Sequence, residues 1–309
     1  MKQKSLLGNS MLLLSAFIWG IAFVAQRVGG GLIGPFTFNA VRMLIGGLTL
    51  LPCIYLLRNR GEKPQNIPNS QKSYFQENKR LLKGGLICGT VLFIACNLQQ
   101  IGVTYSSASK AGFITALYII IVPIIGIFFK KRPGITLWIS ILIALSGIYL
   151  LCVKQGFSLA KEDLLLILSA FLFSIHILAI DHFSPIVDGV KLSCLQFFVC
   201  GFFSFIAMLL VETPKLSPIL QAWIPLLYTG VLSCGIAYTF QILGQKRVSP
   251  VIASLIMSLE SVFSALGGWI ILGESLRPRE MFGCILLFMA IILAQLPVNT
   301  KNSKVELSE

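Results

Sequence analysis

Long apolar runs separated by short polar stretches form the dominant pattern along the chain. A helix needs about 20 apolar residues to cross the hydrocarbon core of a bilayer. Lipid offers no partner for backbone N–H and C=O groups, so runs of this length are predicted to be helices. The pattern therefore predicts an all-α polytopic membrane protein with ten transmembrane helices. The ten runs lie at roughly residues 6–25, 36–57, 82–101, 110–129, 135–153, 163–181, 191–211, 222–242, 250–272 and 280–297.

Composition agrees with this class. Hydrophobic residues make up 56% of the chain and charged residues 12%, whereas soluble domains carry about 25% charged residues. The formal net charge of +13 does not indicate nucleic-acid binding, because the lysines and arginines lie between the apolar runs and form no patch with aromatic residues. The eight cysteines form no Cys-x-x-Cys pair and the chain has two histidines, so we expect neither a metal site nor a cofactor.

The distribution of positive charge predicts how the spans are oriented. With ten spans and a cytoplasmic N-terminus, seventeen lysines and arginines fall in cytoplasmic segments and seven on the opposite side. Positive charge is enriched in the cytoplasmic loops of membrane proteins. We therefore expect a multi-pass protein of the cell membrane with both termini in the cytoplasm. The first run is interpreted as an uncleaved span rather than a signal peptide.

The two halves of the chain resemble each other. The stretch "LLLSAFIWGIAFVAQR" at 12–27 aligns with "LILSAFLFSIHILAID" at 166–181, at an offset of 154 residues. Spans three and eight align at an offset of 142, because the loop at 58–81 is longer than its counterpart after residue 211. Identical pairs in the second alignment are Ile94/Ile236, Ala95/Ala237, Gln99/Gln241, Gly102/Gly244, Ser107/Ser249, Ala111/Ala253 and Ile114/Ile256.

The number of spans in each repeat predicts their relative orientation. Each repeat holds five spans, and five is odd, so the second copy is expected to lie inverted in the membrane. Inverted repeats that bind substrate near the midplane between their halves recur among secondary transporters. We assign residues 1–157 to the first repeat, 158–298 to the second, and 299–309 to a polar cytoplasmic tail.

Several phrases of the sequence carry a family resemblance. The most specific is "WIILGE", which ends span nine and is followed nine residues later by Gly283. The other phrases are "LLLSAFIWGIAFVAQR", "NAVRMLIGG", "YSSASKAGFITALYIIIVPIIG", "QKRVSPVIASLIMSLESVFSALGGWIILGESL" and "FGCILLFMAIILA". Together, in this order, they resemble the drug/metabolite transporter superfamily, EamA type, over nearly the whole chain.

The resemblance implies a ten-helix, inverted-repeat exporter or importer of small organic metabolites, such as amino acids or related compounds, or of drugs. Of the two directions we expect efflux. The expected partners are the lipid bilayer, a small-molecule substrate and a proton as coupling ion. The second half of family members often reads Glu-Pro where this chain reads Glu260-Ser261. We therefore expect a kink at Pro123 in span four and a weaker kink in span nine.

Two ionisable side chains lie inside predicted spans far from their ends. A charge at the centre of a membrane helix costs about 2.5–3.5 kcal/mol, so such groups usually face a cavity or a partner. Glu260 lies about 18 Å below the end of span nine and Arg42 about 10 Å below the end of span two. One interpretation is structural: either an ion pair joins them, or Arg42 extends outward to the membrane surface and Glu260 is protonated. The other is that Glu260 binds a substrate amine or a coupling proton.

Other side chains at membrane depth are weaker candidates. His176 changes charge near neutral pH and can relay a proton, although a lone histidine more often packs through a hydrogen bond. Aromatic and amide side chains can line a pocket, or they can stabilise contacts between helices by roughly 0.6 kcal/mol each. The candidates of these two kinds are Trp19, Tyr118, Tyr238, Asn97, Gln99 and Gln241.

Two alternatives to a transporter remain at this level. An intramembrane enzyme needs converging acids, bases or metal ligands, and the sequence has no phosphate loop, His-Glu-x-x-His or nucleophile motif. We therefore expect that the protein is not an enzyme. A channel or scaffold subunit would not need an inverted duplication.

Overall fold

A computed structural model of the protein describes residues 2–58, 71–128, 134–152, 161–273 and 277–295, and its secondary structure in these ranges is helical. Glu274 and the tail at 299–309 lie outside them. The helices of the first half are α1 (Lys2–Gly30), α2 (Pro35–Arg58), α3 (Gln71–Tyr105), α4 (Ala108–Thr115), α5 (Tyr118–Phe128) and α6 (Ile135–Cys152). Those of the second half are α7 (Lys161–Phe183), α8 (Gly189–Val211), α9 (Leu216–Gln221), α10 (Trp223–Leu227), a π-helix (Tyr228–Tyr238), α11 (Thr239–Gln245), α12 (Pro250–Met257), α13 (Glu260–Leu272) and α14 (Pro278–Gln295).

Eight helical stretches of the described chain are long and apolar enough to cross a membrane, which confirms an all-helical membrane protein. The fifth and tenth predicted spans correspond to α6 and α14, which pack against each other. A total of ten spans stays a prediction. The eight stretches are Leu6–Gly30, Pro35–Leu56, Gln76–Tyr105, Ala108–Phe128, Lys161–Phe183, Gly189–Val211, Trp223–Gln245 and Pro250–Leu272.

Spans four and nine are both broken, and at equivalent positions of the two repeats. The break between α4 and α5 lies at residues 116–117, and the break between α12 and α13 at residues 258–259. In both, backbone bonds tighten to three-residue spacing, as in Leu117 N to Ile114 O and Leu259 N to Ile256 O, each 3.2 Å. The expectation of a weaker kink in span nine is therefore wrong.

Serine hydroxyls explain how span nine breaks without a proline at residue 261. The Ser258 hydroxyl donates to Leu255 O and the Ser261 hydroxyl to Ser258 O, both at 2.7 Å. A helix break frees carbonyl groups, and in an apolar setting serine side chains can satisfy them. In span four the break lies several residues before Pro123, which sits inside α5.

Helix α1 runs through the interior and contacts elements of both halves, including α13, the π-helix and α11. Two buried serines join it and α7 to the opposite half. The Ser15 hydroxyl donates to Ala237 O at 2.8 Å, and the Ser169 hydroxyl donates to Ala95 O at 3.1 Å. Because Ser15 aligns with Ser169 and Ala95 with Ala237, the same contact is made twice.

Close approaches between helices are also duplicated. A Cβ added to Gly102 in α3 would meet the Leu166 side chain of α7, and one added to Gly244 in α11 would meet the Leu12 side chain of α1. Leu12 and Leu166 are aligned positions too. These two contacts lie near opposite ends of the helix bundle. Leu12, which Gly244 approaches, is near the start of α1. Gly102 lies two residues after Gln100, whose side chain donates to Gln26 O near the end of α1.

Span eight is not a simple α-helix. Its central part, Tyr228–Tyr238, is a π-helix between α10 and α11, and wide turns of this kind are frequent at functional sites. Gly46 of α2 and Gly230 of the π-helix allow the two backbones to touch, since a Cβ at Gly46 would lie 3.1 Å from Gly230 O. The last π-helical residue, Tyr238, lies in the interior and is 7% exposed.

A carboxylate from α8 caps the start of α2. Glu212 ends α8, and its two oxygens accept hydrogen bonds from Phe36 N at 2.9 Å and Thr37 N at 2.8 Å. The cap position itself is Gly34, which has no side chain to do this. The aligned residue in the second repeat is Asp188, whose own carboxylate caps α8 through Val190 N and Lys191 N.

Candidate functional site

A cavity lies between the two halves of the chain. Its volume accessible to water-sized molecules is about 40 Å³, and both helix breaks border it. Eight of the nine candidate residues from the sequence line it: Glu260, Arg42, His176, Trp19, Tyr118, Gln99, Gln241 and Tyr238. The sequence did not single out the other lining residues, which are Phe23, Gln26, Thr115, Phe173, Ile177, Ser233 and Met257.

Glu260 lies at the break of span nine, as the first residue of α13. The N-terminus of a helix favours a negative charge, because its N–H groups point outward along the dipole. The Glu260 side chain is 4% exposed, and Tyr118 Oη donates a hydrogen bond to Glu260 Oε1 at 2.8 Å. Tyr118 is the first residue of α5, so the two half-helix starts meet through this bond.

Arg42 faces the same cavity and is 2% exposed. Its Nε donates to Asn39 Oδ1 at 2.7 Å, and its guanidinium carbon lies 5.6 Å from the centre of the Phe38 ring. The ion pair that the sequence suggested is not formed, because no nitrogen–oxygen contact within 4.0 Å joins Arg42 to Glu260, both of which are described residues. A carboxyl group and a guanidinium therefore face one cavity without contacting each other.

Asn97 is the candidate that does not line the cavity. Its Oδ1 accepts from Asn39 Nδ2 at 2.9 Å, and its Nδ2 donates to Phe93 O at 2.8 Å and to Ser204 Oγ at 3.0 Å. It thus lies behind Asn39, which in turn holds Arg42. The sequence identified Asn97 as a polar residue at membrane depth. It did not indicate that Asn97 reaches the cavity only through Asn39 and Arg42.

Tyr238 is the centre of an aromatic group on the cavity wall. Its ring packs edge-to-face against Trp19, with centroids 4.7 Å apart, and against Phe197 at 5.6 Å and His176 at 6.0 Å. His176 Nε2 is 3.0 Å from Gln196 Oε1, so the hydrogen-bonded packing favoured for this histidine is present. Trp19, His176 and Tyr238 thus form one aromatic group on the cavity wall.

Several buried polar atoms on the cavity wall have no hydrogen-bond partner in the described part of the protein. They are Trp19 Nε1, a donor, and Gln26 Oε1, Gln241 Oε1 and His176 Nδ1. A buried polar atom without a partner costs roughly 1–3 kcal/mol. Further atoms of this kind lie elsewhere in the described chain, so what marks the cavity is that its four are available to a polar ligand. Gln99 bonds more weakly, with its Nε2 3.4 Å from Thr115 Oγ1.

The cavity is lined by aligned residues of the two repeats. Ten of its fifteen lining residues form five aligned pairs, which are Trp19/Phe173, Phe23/Ile177, Gln99/Gln241, Thr115/Met257 and Tyr118/Glu260. Extending the sequence alignment by a few residues past Ile114/Ile256 would have identified the last two pairs. No group of three or more histidine, cysteine or acidic side chains able to hold a metal occurs within the described residues.

Comparison with known proteins identifies the family. The model of the EamA-like transporter family matches the sequence twice, at residues 6–153 and 160–296. The chain belongs to the EamA-like transporter family. It is therefore a multi-pass membrane transporter, and the duplication found in its sequence is a duplication of the EamA unit. This membership favours a transporter over the enzyme alternative.

Individual relatives agree with this family. A protein of Archaeoglobus fulgidus named "Uncharacterized transporter" is 29% identical over 301 residues, which cover 96% of this chain and 88% of the relative. A protein of known crystal structure matches with a TM-score of 0.74 over 93% of this chain and 96% of its own. The sequence identity to that structure is 17%, so it shows a shared fold.

Proposed function

We propose that this EamA-like transporter is a secondary transporter of small zwitterionic metabolites, such as amino acids or related compounds, and that it works by alternating access. The observation that carries the proposal is the placement of Glu260 and Arg42. They bring an acidic and a basic group to one cavity inside the membrane, and no hydrogen bond or ion pair joins the two.

A zwitterionic cargo satisfies both charges at once. Its ammonium group binds Glu260, and its carboxylate binds the Nη edge of Arg42, which presents a planar fork of donors suited to a carboxylate. The unpartnered acceptors on Gln26 and Gln241 supply further contacts for ammonium protons. An apolar side group of the cargo packs on the wall formed by Trp19, Phe23 and Phe173.

The proposed architecture is two inverted five-helix repeats, at residues 1–157 and 158–298, that give ten spans. The duplicated contacts of Ser15 and Ser169, and the five aligned pairs in the cavity wall, support it. If the halves exchange conformations, a cavity lined by aligned pairs keeps the same lining while its opening changes sides. This is the geometry that alternating access needs.

The proposed coupling is exchange of cargo for protons. A proton and the ammonium group of the cargo compete for the same carboxylate, Glu260, so one cannot bind until the other leaves. Such competition couples the two in opposite directions, and an inward proton gradient then drives the cargo out of the cell. We therefore propose efflux across the cytoplasmic membrane, with both termini in the cytoplasm.

Charge selectivity tests the zwitterion proposal. Proteoliposomes are loaded with one of three probes that share a phenyl ring: phenylalanine, 2-phenylethylamine and 3-phenylpropionate. We expect Glu260→Gln to raise the KM for the two probes with an ammonium group, and Arg42→Gln to raise it for the two with a carboxylate, each by about tenfold or more. Transport of all three probes that neither variant changes would contradict the proposal.

A pH gradient tests the proposed coupling. We expect wild-type protein to accumulate phenylalanine against its gradient when a pH gradient is imposed, and Glu260→Gln to lose this accumulation. Glu280→Gln is a matched control, because Glu280 lies at the start of α14 and accepts from Arg277 N, away from the cavity. Full gradient-driven accumulation by Glu260→Gln would show that Glu260 does not carry the coupling proton.

A further inference from the structure

We propose that Asn39 and Asn97 are positioning residues that fix the guanidinium of Arg42, and so determine whether the transporter recognises a carboxylate. The hydrogen bonds that join Asn97 to Asn39 and Asn39 to Arg42 form a relay. It begins in α2, where Asn39 precedes Arg42 by three residues and lies on the same helix face. Asn39 is fully buried and Asn97 is 4% exposed. The proposal rests on the proposed function for its transport experiment, but not for its spectroscopic one.

The hydrogen bonds leave each amide one orientation. Asn39 Nδ2 donates to Cys96 O at 3.1 Å as well as to Asn97 Oδ1. A backbone carbonyl can only accept, so the Asn39 nitrogen must point toward Cys96 and its oxygen toward Arg42. The same logic fixes Asn97, whose nitrogen donates to the backbone carbonyl of Phe93.

The relay decides which edge of Arg42 faces the cargo. A guanidinium has five donors in a rigid plane. Asn39 accepts from Nε, the guanidinium carbon lies 5.6 Å from the centre of the Phe38 ring, and Arg42 lines the cavity. Neither contact uses the two Nη groups, so the edge they form stays available to a cargo. This edge can hold a carboxylate with two parallel hydrogen bonds. Without Asn39, the long side chain of Arg42 can rotate its fork away from the cargo.

The second repeat shows that the fold itself does not require this relay. The residues aligned with Asn39, Asn97 and Arg42 are Ser193, Thr239 and Gln196. There the Ser193 and Thr239 hydroxyls make the equivalent contact at 2.9 Å. The same backbone arrangement thus packs around small hydroxyl side chains, and the larger amides accompany the copy that carries the charge.

This alignment supplies a conservative test variant, Asn39→Ser combined with Asn97→Thr, and a matched control, Ser193→Ala. In ¹⁵N-arginine-labelled protein in nanodiscs without cargo, the Nε–H signal of Arg42 is assigned by its absence in Arg42→Gln. We expect its proton to exchange with water about tenfold faster in the double variant and to be unchanged in the control. An unchanged signal in the double variant would overturn the positioning role, whatever the transport data show.

Transport of the three phenyl probes tests the effect on specificity. In the double variant we expect the KM for phenylalanine and 3-phenylpropionate to rise about tenfold, with the maximal rate kept and the KM for 2-phenylethylamine unchanged. Asn39→Asp adds a carboxylate beside Arg42 and neutralises it. This variant should shift the preference toward the amine, a change that loss of stability alone does not produce.

The two experiments separate the two proposals. If wild-type protein transports none of the probes, the zwitterion cargo is wrong, while the Arg42 signal still decides whether the asparagines hold the guanidinium. If the signal changes but the ratio of amine to carboxylate transport stays at the wild-type value in both variants, the claim on specificity is overturned. Melting temperatures of all variants, measured in the same detergent, exclude unfolding as the cause of lost transport.

Discussion

At the scale of single residues, the hydrogen bond between Tyr118 and Glu260 joins two aligned positions of the repeat. Contact between two such positions places them on the proposed pseudo-two-fold axis. The sequence differs at this point, with a phenol in one copy and a carboxylate in the other. One side chain can therefore orient the other, which two identical carboxylates would not do because their charges repel.

Replacing Tyr118 with phenylalanine tests this orienting role. A hydrogen bond to a charged group contributes about 1.5–3 kcal/mol, which corresponds to more than tenfold in an equilibrium constant. We expect Tyr118→Phe to raise the KM for 2-phenylethylamine by about that factor and to leave the KM for 3-phenylpropionate unchanged. Tyr228→Phe is the control, because Tyr228 donates to Ile18 O and does not line the cavity. Equal effects of both variants would assign the loss to stability.

Much of the cavity wall was predictable from chemistry alone. Scarcity of charge at membrane depth identified Glu260 and Arg42, and the repeat alignment identified Gln99 and Gln241. Their contacts were not predictable, because the direction of each side chain depends on helix packing. The sequence suggested an ion pair where the structure instead holds each charge with a neutral partner, and nothing in the local sequence of Gln26 marked it as part of the wall.

At the scale of elements, the breaks and the π-helix were beyond the reach of sequence patterns. A break at residues 258–259 depends on hydroxyl groups that reach nearby carbonyls, and serine is common in unbroken helices as well. The glycine of the phrase "WIILGE" has a clear physical basis, since Gly273 caps the end of α13 with φ of 68°, a left-handed conformation that favours glycine. That phrase of the sequence therefore marks a helix end.

The cap of α2 gives a prediction at this scale. Glu212→Ala leaves the first N–H groups of α2 without their acceptor, and loss of an N-cap costs about 0.5–2 kcal/mol. We expect a lower melting temperature in detergent. A second change, Gly34→Asp in the Glu212→Ala background, should restore most of the loss, because the aligned Asp188 caps α8 with its own side chain.

Space at the cap makes the rescue specific to the double variant. The nearest atoms to a Cβ at Gly34 all belong to the Glu212 carboxylate, so Glu212→Ala provides the room. Gly34→Asp alone is expected to destabilise the protein, because two carboxylates would then compete for the same N–H groups. A double variant no more stable than Glu212→Ala would contradict the exchange of one cap for the other.

At the scale of the whole molecule, the two repeats share a framework but differ in charge. Aligned residues make the same contacts at the serines, at the glycines and at the helix breaks. Glu260 faces Tyr118, however, and Arg42 aligns with the neutral Gln196. A symmetric framework permits the two halves to exchange conformations, while the asymmetric charges give the cavity a fixed polarity for its cargo. The proposed mechanism requires both properties.

The two glycine contacts at opposite ends of the bundle provide a direct test of alternating access. A methyl group at Gly102 would lie 2.5 Å from Leu166 Cγ, and one at Gly244 would lie 2.8 Å from Leu12 Cγ and 3.1 Å from Gly8 O. Either methyl group forces its own end of the bundle apart. We expect Gly102→Ala to favour opening to the outside and Gly244→Ala to favour opening to the cytoplasm.

Accessibility of a cysteine in the cavity measures these shifts. Ser233→Cys is introduced after the eight native cysteines are replaced, and a membrane-impermeant thiol reagent is applied from either side of sealed vesicles. Relative to the parent, Gly102→Ala should speed labelling from outside and slow it from the cytoplasmic side by about fivefold, the effect of roughly 1 kcal/mol. Gly244→Ala should do the reverse. Gly134→Ala is the control, since nothing lies within 4 Å of a Cβ there. Shifts of the same sign in both test variants would contradict an exchange of conformations between the halves.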